Sequence, residues 1–120
     1  MPSKAFIAIL AKMKEKTILA IETSCDDTAV SIVKEENSKF SVLAHLISSQ
    51  TEIHSHWGGV VPNLAKREHS LNLVPLLVKA IQEAELKTKA VGQLPHKEMT
   101  EILSKNPELK AQLIPFLEKF

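Results

Sequence analysis

Seven consecutive residues, Glu22-Thr23-Ser24-Cys25-Asp26-Asp27-Thr28, gather carboxylates, hydroxyls and the chain's one thiol. Apolar, largely β-branched runs flank them: Ile18-Leu19-Ala20-Ile21 before, and Ala29-Val30-Ser31-Ile32-Val33 after. The pattern reads as a polar turn between two buried strands. Such a turn can aim backbone N–H groups and hydroxyls at a phosphate. Asp26 and Asp27 are adjacent carboxylates, and either could take a proton from an attacking amine or orient a substrate. Cys25 has no obvious base near it in sequence, so it reads as a packed or ligand-lining thiol rather than a nucleophile. Without further support, a solvated hairpin turn capped by Asp and Ser explains the same residues.

A second run, His54-Ser55-His56-Trp57-Gly58-Gly59-Val60-Val61-Pro62, precedes a helical pattern that carries Lys66, Arg67 and His69. Paired glycines permit positive φ or the close approach of another chain, although a tight lead into the helix accounts for them nearly as well. Arg67 could meet a phosphate or pair with an acid on the helix surface. His54 and His56 lie two apart and would share one face of a strand. No cysteine or second acidic cluster completes a ligand set, so no metal site is expected in this chain.

Three strands are expected to position these groups: 17–22, 28–34 and 40–47, joined by short turns into a meander. In the third, Phe40, Val42 and Ala44 alternate against Ser41, Leu43 and His45. Residues 48–62 read as a loop. From Asn63 a helix is expected, with Leu64, Leu71, Val74, Val78 and Ile81 on one face. Pro75 lies inside it and predicts a bend. Residues 87–94 read as a linker and 95–105 as a short helix. Asn106-Pro107-Glu108 then supplies a cap, a first-turn proline and an acid for a last helix. Leu109, Leu113, Phe116 and Leu117 give that helix its apolar face, interrupted by Pro115.

At 120 residues with a formal net charge of +1, the chain fits one small domain and has no strong field to draw in nucleic acid. A single cysteine excludes an intramolecular disulfide framework and favours a reducing, cytoplasmic setting. No apolar run approaches the ~18 residues needed to span a membrane. Residues 1–16 read as a leader. Their run Lys4-Ala5-Phe6-Ile7-Ala8-Ile9-Leu10-Ala11 has a faint signal-peptide look, and a tail ahead of a functional start at Met13 is the blander reading. The division is thus 1–16, 17–86 and 87–120.

The two polar runs together resemble the tRNA threonylcarbamoyladenosine transferase (Gcp-like) family. Ile21-Glu22-Thr23-Ser24-Cys25-Asp26-Asp27-Thr28 matches its amino-terminal signature, which often has Glu where Asp27 stands. His54, Gly58-Gly59-Val60-Val61-Pro62, Ala65, Arg67 and His69 match a second block. Asn63 takes the place of a usual glutamate and Lys66 of a usual serine. The resemblance runs from about Thr17 to Ala84 and stops short of a complete member. It implies an α/β fold: the opening part of an actin-like ATPase domain, a three-strand meander, a long helix and a carboxy-terminal helical pair that looks inserted. The activity implied is transfer of a threonylcarbamoyl group from threonylcarbamoyl-AMP to the N6 amine of the adenosine beside the tRNA anticodon. Asp26, Asp27 and Glu22 would be catalytic, and Thr23, Ser24, Cys25 and Arg67 would bind substrate. The complete family enzyme holds iron or zinc through later residues without counterpart here, as are its glycine-rich nucleotide loops, so this chain is expected to be inactive alone. Implied partners are tRNA and the other subunits of the transfer complex, a silent paralogue and a small ATPase. A different class of function is a non-catalytic paralogue that pairs with a full-length enzyme through a free helix face at Leu64, Leu71, Val74 and Val78. A glycoprotein protease, the family's historical label, finds no zinc-protease motif or nucleophile–base pair here.

Overall fold

The structure, a computed structural model, describes Ser3, Lys4, residues 15–87 and residues 96–119. The leader's apolar run and most of the expected linker lie outside these residues. Three strands, β1 (Glu15–Glu22), β2 (Asp27–Glu36) and β3 (Lys39–Ser49), form an antiparallel sheet in the order β1-β2-β3. The meander is as the sequence predicts, with longer strands. Glu15 and Lys16, expected to belong to the leader, pair with Glu36 and Glu35 in the sheet. Lys34 holds this end, with Nζ 2.9 Å from Glu15 and 3.6 Å from Glu36. Asn37 and Ser38 take left-handed φ of 51° and 62° in the tight β2–β3 turn, a conformation that Asn tolerates well.

Period-two alternation in β2 sends Thr28, Val30 and Ile32 to one face, where all three are fully or almost fully buried. In β3 the expected alternation breaks. Ile32 pairs with Ala44 but Val33 pairs with Val42, so Leu43 is an extra residue in a bulge. The bulge reverses the facing of the residues before it. Ala44 is buried, whereas Phe40 and Val42 are 67% and 68% exposed on the opposite face.

A short helix, α1 (Thr51–Ser55), occupies part of the expected loop 48–62. Then α2 (Pro62–Glu83) runs across the sheet, with Pro62 in its first turn, where a missing N–H costs nothing. It continues through Pro75, which sits on the exposed side. Leu77 and Ala80 pack with Val30, Ile32 and Ala44 into the core. The buried stripe is Ala65, Ser70, Val74, Leu77 and Ala80, offset from the expected one. Small residues carry it, because they let helix and sheet approach closely. Of the expected free face, Val74 is buried, Leu64 and Val78 are half-buried, and Leu71 is 36% exposed. Last come α3 (His96–Leu103) and α4 (Pro107–Lys119), the predicted helical pair. Leu103 is buried, α4 lies along α2, and Phe116 reaches the core. The Asn106 cap forms as predicted, its Oδ1 accepting from Leu109 N–H at 3.2 Å.

Candidate functional site at the hairpin turn

The β1–β2 turn is locked by its own polar groups. Glu22 Oε1 accepts from Ser24 N–H at 2.6 Å. Bonds from Ser24, side chain first and backbone second, hold the Glu22 carboxyl below the usual glutamate range, with a smaller contribution from the charge of His69. Asp27 N–H reaches Ser24 C=O at 3.4 Å. Cys25, between them, takes φ of 48°, a left-handed conformation that costs a non-glycine residue on the order of 1–2 kcal/mol and persists only where neighbours impose it.

His69, on α2, supplies the main restraint. Its Nε2 lies 3.1 Å from Cys25 C=O, and its Nδ1 lies 2.7 Å from Thr28 Oγ1. A carbonyl only accepts, so Nε2 carries the proton. In the neutral ring Nδ1 then accepts from the hydroxyl of Thr28, which is 0% exposed. One imidazole thus ties the helix to both ends of the turn.

Asp26 ties the turn to the other side. Its C=O accepts from Gln50 N–H at 2.7 Å, and its Oδ2 accepts from Thr51 Oγ1–H at 3.4 Å. Gln50 and His54 form a buried pair below. His54 Nε2 meets Gln50 Oε1 at 2.7 Å, His54 Nδ1 accepts from Val61 N–H at 3.1 Å, and Gln50 Nε2 donates to Ala65 C=O at 3.4 Å. This network pins the glycine-containing loop to the start of α2. Gly58, with φ of 75°, makes the reversal between α1 and that loop, a conformation for which glycine is suited.

Between these parts opens a cleft of ≈ 590 Å³. Thr23 and Cys25 line it from the turn, Val60 from the loop, and Pro62, Lys66, His69 and Leu73 from α2. Leu109 of α4 and its capping residue Asn106 close it. Both polar runs of the sequence therefore meet at one site. Ser24, Asp26 and Asp27 belong to the turn but do not line this cleft. Arg67 lines a neighbouring cleft with Lys66 and Lys105, and no acid pairs with it among the described residues. Gln50, Lys66 and Asn106 escape the sequence reading. Gln50 has no motif to mark it, and Asn106 reaches the site only through the packing of α4 on α2.

His54 and His69 spend both ring nitrogens on hydrogen bonds, and no group of three or more His, Cys, Asp or Glu gathers among the described residues. With these ring nitrogens already engaged, His54 and His69 do not fit an iron or zinc ion.

A three-strand meander with a helix across one face, and an acidic turn at the strand ends, is the opening layer of an actin-like ATPase-type α/β domain. The sequence model of the family described as tRNA N6-adenosine threonylcarbamoyltransferase matches residues 41–94. Curated proteins of that name are similar over a longer stretch. The one from Persephonella marina is 49% identical over 74 residues, 62% of this chain and 21% of the relative. One from Prochlorococcus marinus is 52% identical over 78 residues, 64% of this chain and 22% of the relative. One from Synechococcus is 46% identical over 77 residues, 64% and 21%. Over that stretch the chain is similar to this family, and it spans about a fifth of the length of the curated relatives it matches.

Proposed function

We infer that this chain builds one wall of a threonylcarbamoyl-transfer site. The observation that supports it is the convergence of Thr23 and Cys25 with Val60, Pro62 and His69 on one cleft, in a chain 49% and 52% identical to such transferases over 74 and 78 residues. The adenosine N6 amine attacks the carbamoyl carbon of threonylcarbamoyl-AMP. A C–N bond forms, the C–O bond to the phosphate breaks, and AMP leaves with the electron pair. The proton lost from the amine passes through a water to a carboxylate of the turn, Asp26 or Asp27, which stand beside the cleft rather than in its lining. Glu22 fixes the turn through Ser24, which makes its part in the chemistry one of positioning. Thr23, Ser24 and Cys25 offer hydroxyl, thiol and backbone groups to the donor, and Arg67 offers its guanidinium to a phosphate.

The remaining walls, the metal and the partner subunits are those of a complete enzyme, and no step above is routed through a metal. A cytoplasmic setting, where the tRNA substrate resides, goes with this reading and with the exposed free thiol of Cys25. No described helix is long and apolar enough to cross a membrane.

The test is a chimera in which residues 17–86 replace the corresponding segment of the Persephonella marina relative. Threonine-derived label should pass into tRNA with the chimera and not with the 120-residue chain alone. A folded chimera without transfer, or transfer by the chain alone, would contradict the reading.

A further inference from the structure

A second cleft of ≈ 270 Å³ adjoins the first and shares Lys66, Ser70 and Asn106 with it. Its charged lining is Lys66 and Arg67 from α2, Lys105 from the α3–α4 turn, and Glu108. Three cations therefore face one carboxylate in a chain whose formal net charge is only +1. None of the three makes an ion pair among the described residues, where the carboxylates of Glu15 and Glu36 both go to Lys34. Glu108 lies in the first turn of α4, where the helix's N-terminal partial charge offsets it.

The third cation is held in place. Leu103, 7% exposed, anchors the end of α3. Asn106 N–H bonds Leu103 C=O at 3.0 Å, and Asn106 Nδ2–H donates to Ser70 Oγ at 2.6 Å. Ser70 Oγ–H in turn donates to Lys66 C=O at 2.9 Å. Lys105 is thus fixed between two tethers, one of which ends on the residue that supplies the first cation. Fixing the backbone of a contact residue beforehand lowers the ordering cost of binding. Lys105 also lies beyond the residues 41–94 that match the family's sequence model, so the helical pair adds a charge to the site from outside that match.

We propose that this cleft is an RNA phosphate site, in which Lys66, Arg67 and Lys105 contact successive backbone phosphates of an RNA whose reacting base enters the adjoining cleft. The inference rests on the reading that RNA is the substrate. It assigns the α3–α4 pair a role in gripping that RNA rather than in the chemistry.

The experiment measures binding of a fluorescent tRNA anticodon stem-loop to the 120-residue chain by anisotropy, between about 50 and 200 mM KCl. Lys105→Ala and Arg67→Ala should each reduce the slope of log K against log salt by about 0.7–0.9, the share of one phosphate contact. Lys105→Arg should keep the native slope. Lys39→Ala, at the far end of the sheet from the turn, removes the same charge and should leave the slope unchanged. Native binding with a slope unaffected by Lys105→Ala would overturn the inference while leaving the transfer reading to the chimera assay. So would equal loss in Lys39→Ala, or no RNA binding at the lowest salt. Displacement of the RNA by AMP alone at comparable concentration would assign the cleft to a mononucleotide phosphate, and would overturn it as well.

Discussion

His69 illustrates how much one side chain can decide. It satisfies a buried hydroxyl and restrains a left-handed Cys25, so His69→Ala leaves Thr28 without a partner and removes the restraint on the turn. A buried polar group stripped of its bond costs about 1–3 kcal/mol, and urea denaturation should show a loss of that size. Glu22 makes a pH prediction. Its folded-state pKa lies below the ordinary glutamate range. A depressed carboxylate contributes stability above its unfolded pKa, and that contribution is lost as pH falls through the lower folded value. The Ser24 amide resonance should therefore keep its hydrogen-bonded shift through the pH range where an ordinary glutamate protonates and lose it only in more acidic solution. Glu22→Gln should remove that titration. A Ser24 amide that does not follow pH in the native chain would contradict the assigned bond.

Among the elements, those with strong local signals were legible in the sequence. The β-branched runs, the Asn37-Ser38 turn and the Asn106-Pro107 cap each dictate a backbone state locally, and each forms. The facing of Phe40 and Val42 was not legible. One extra residue, Leu43, reverses it, and a bulge leaves no local mark that separates it from regular alternation. The buried stripe of α2 was missed for a related reason. Ala65, Ser70 and Ala80 are weak signals in a hydrophobicity pattern, yet small size is what close packing requires. The acidic turn was plain from its composition. The cleft beside it was not, because His69, Lys66 and Asn106 reach it only through tertiary packing. Helix α1 and the loop after it depend on the Gln50–His54 pair. His54→Ala should cost about 1–3 kcal/mol by leaving buried Gln50 short of a partner, and hydrogen exchange at the Val61 amide should accelerate before that at Ile32 in the core. Equal protection at both sites in the variant would count against the network.

At the scale of the molecule, α2 covers one face of the sheet and nothing among the described residues covers the other. Ile18, Phe40, Val42 and Ile47, 43–68% exposed, lie on that open face, and β1 is an edge strand of unpaired backbone groups. A contiguous apolar surface of this kind favours association. Sedimentation of the 120-residue chain should show concentration-dependent oligomers, and the double change Phe40→Lys with Val42→Lys should shift it toward monomer. The cleft, by contrast, is lined from the α2 side of the sheet. The claim at the centre of this account is that the acidic turn, held by His69, carries the transfer chemistry. The most direct measurement is kcat and KM for tRNA of the chimera carrying Asp26→Asn or Asp27→Asn. At least one of the two should lower kcat by about 10²–10⁴-fold, the usual worth of a positioned general base, with KM for tRNA nearly unchanged. If both variants keep kcat within roughly threefold of the parent chimera, the turn is a structural hairpin and the chemistry lies elsewhere.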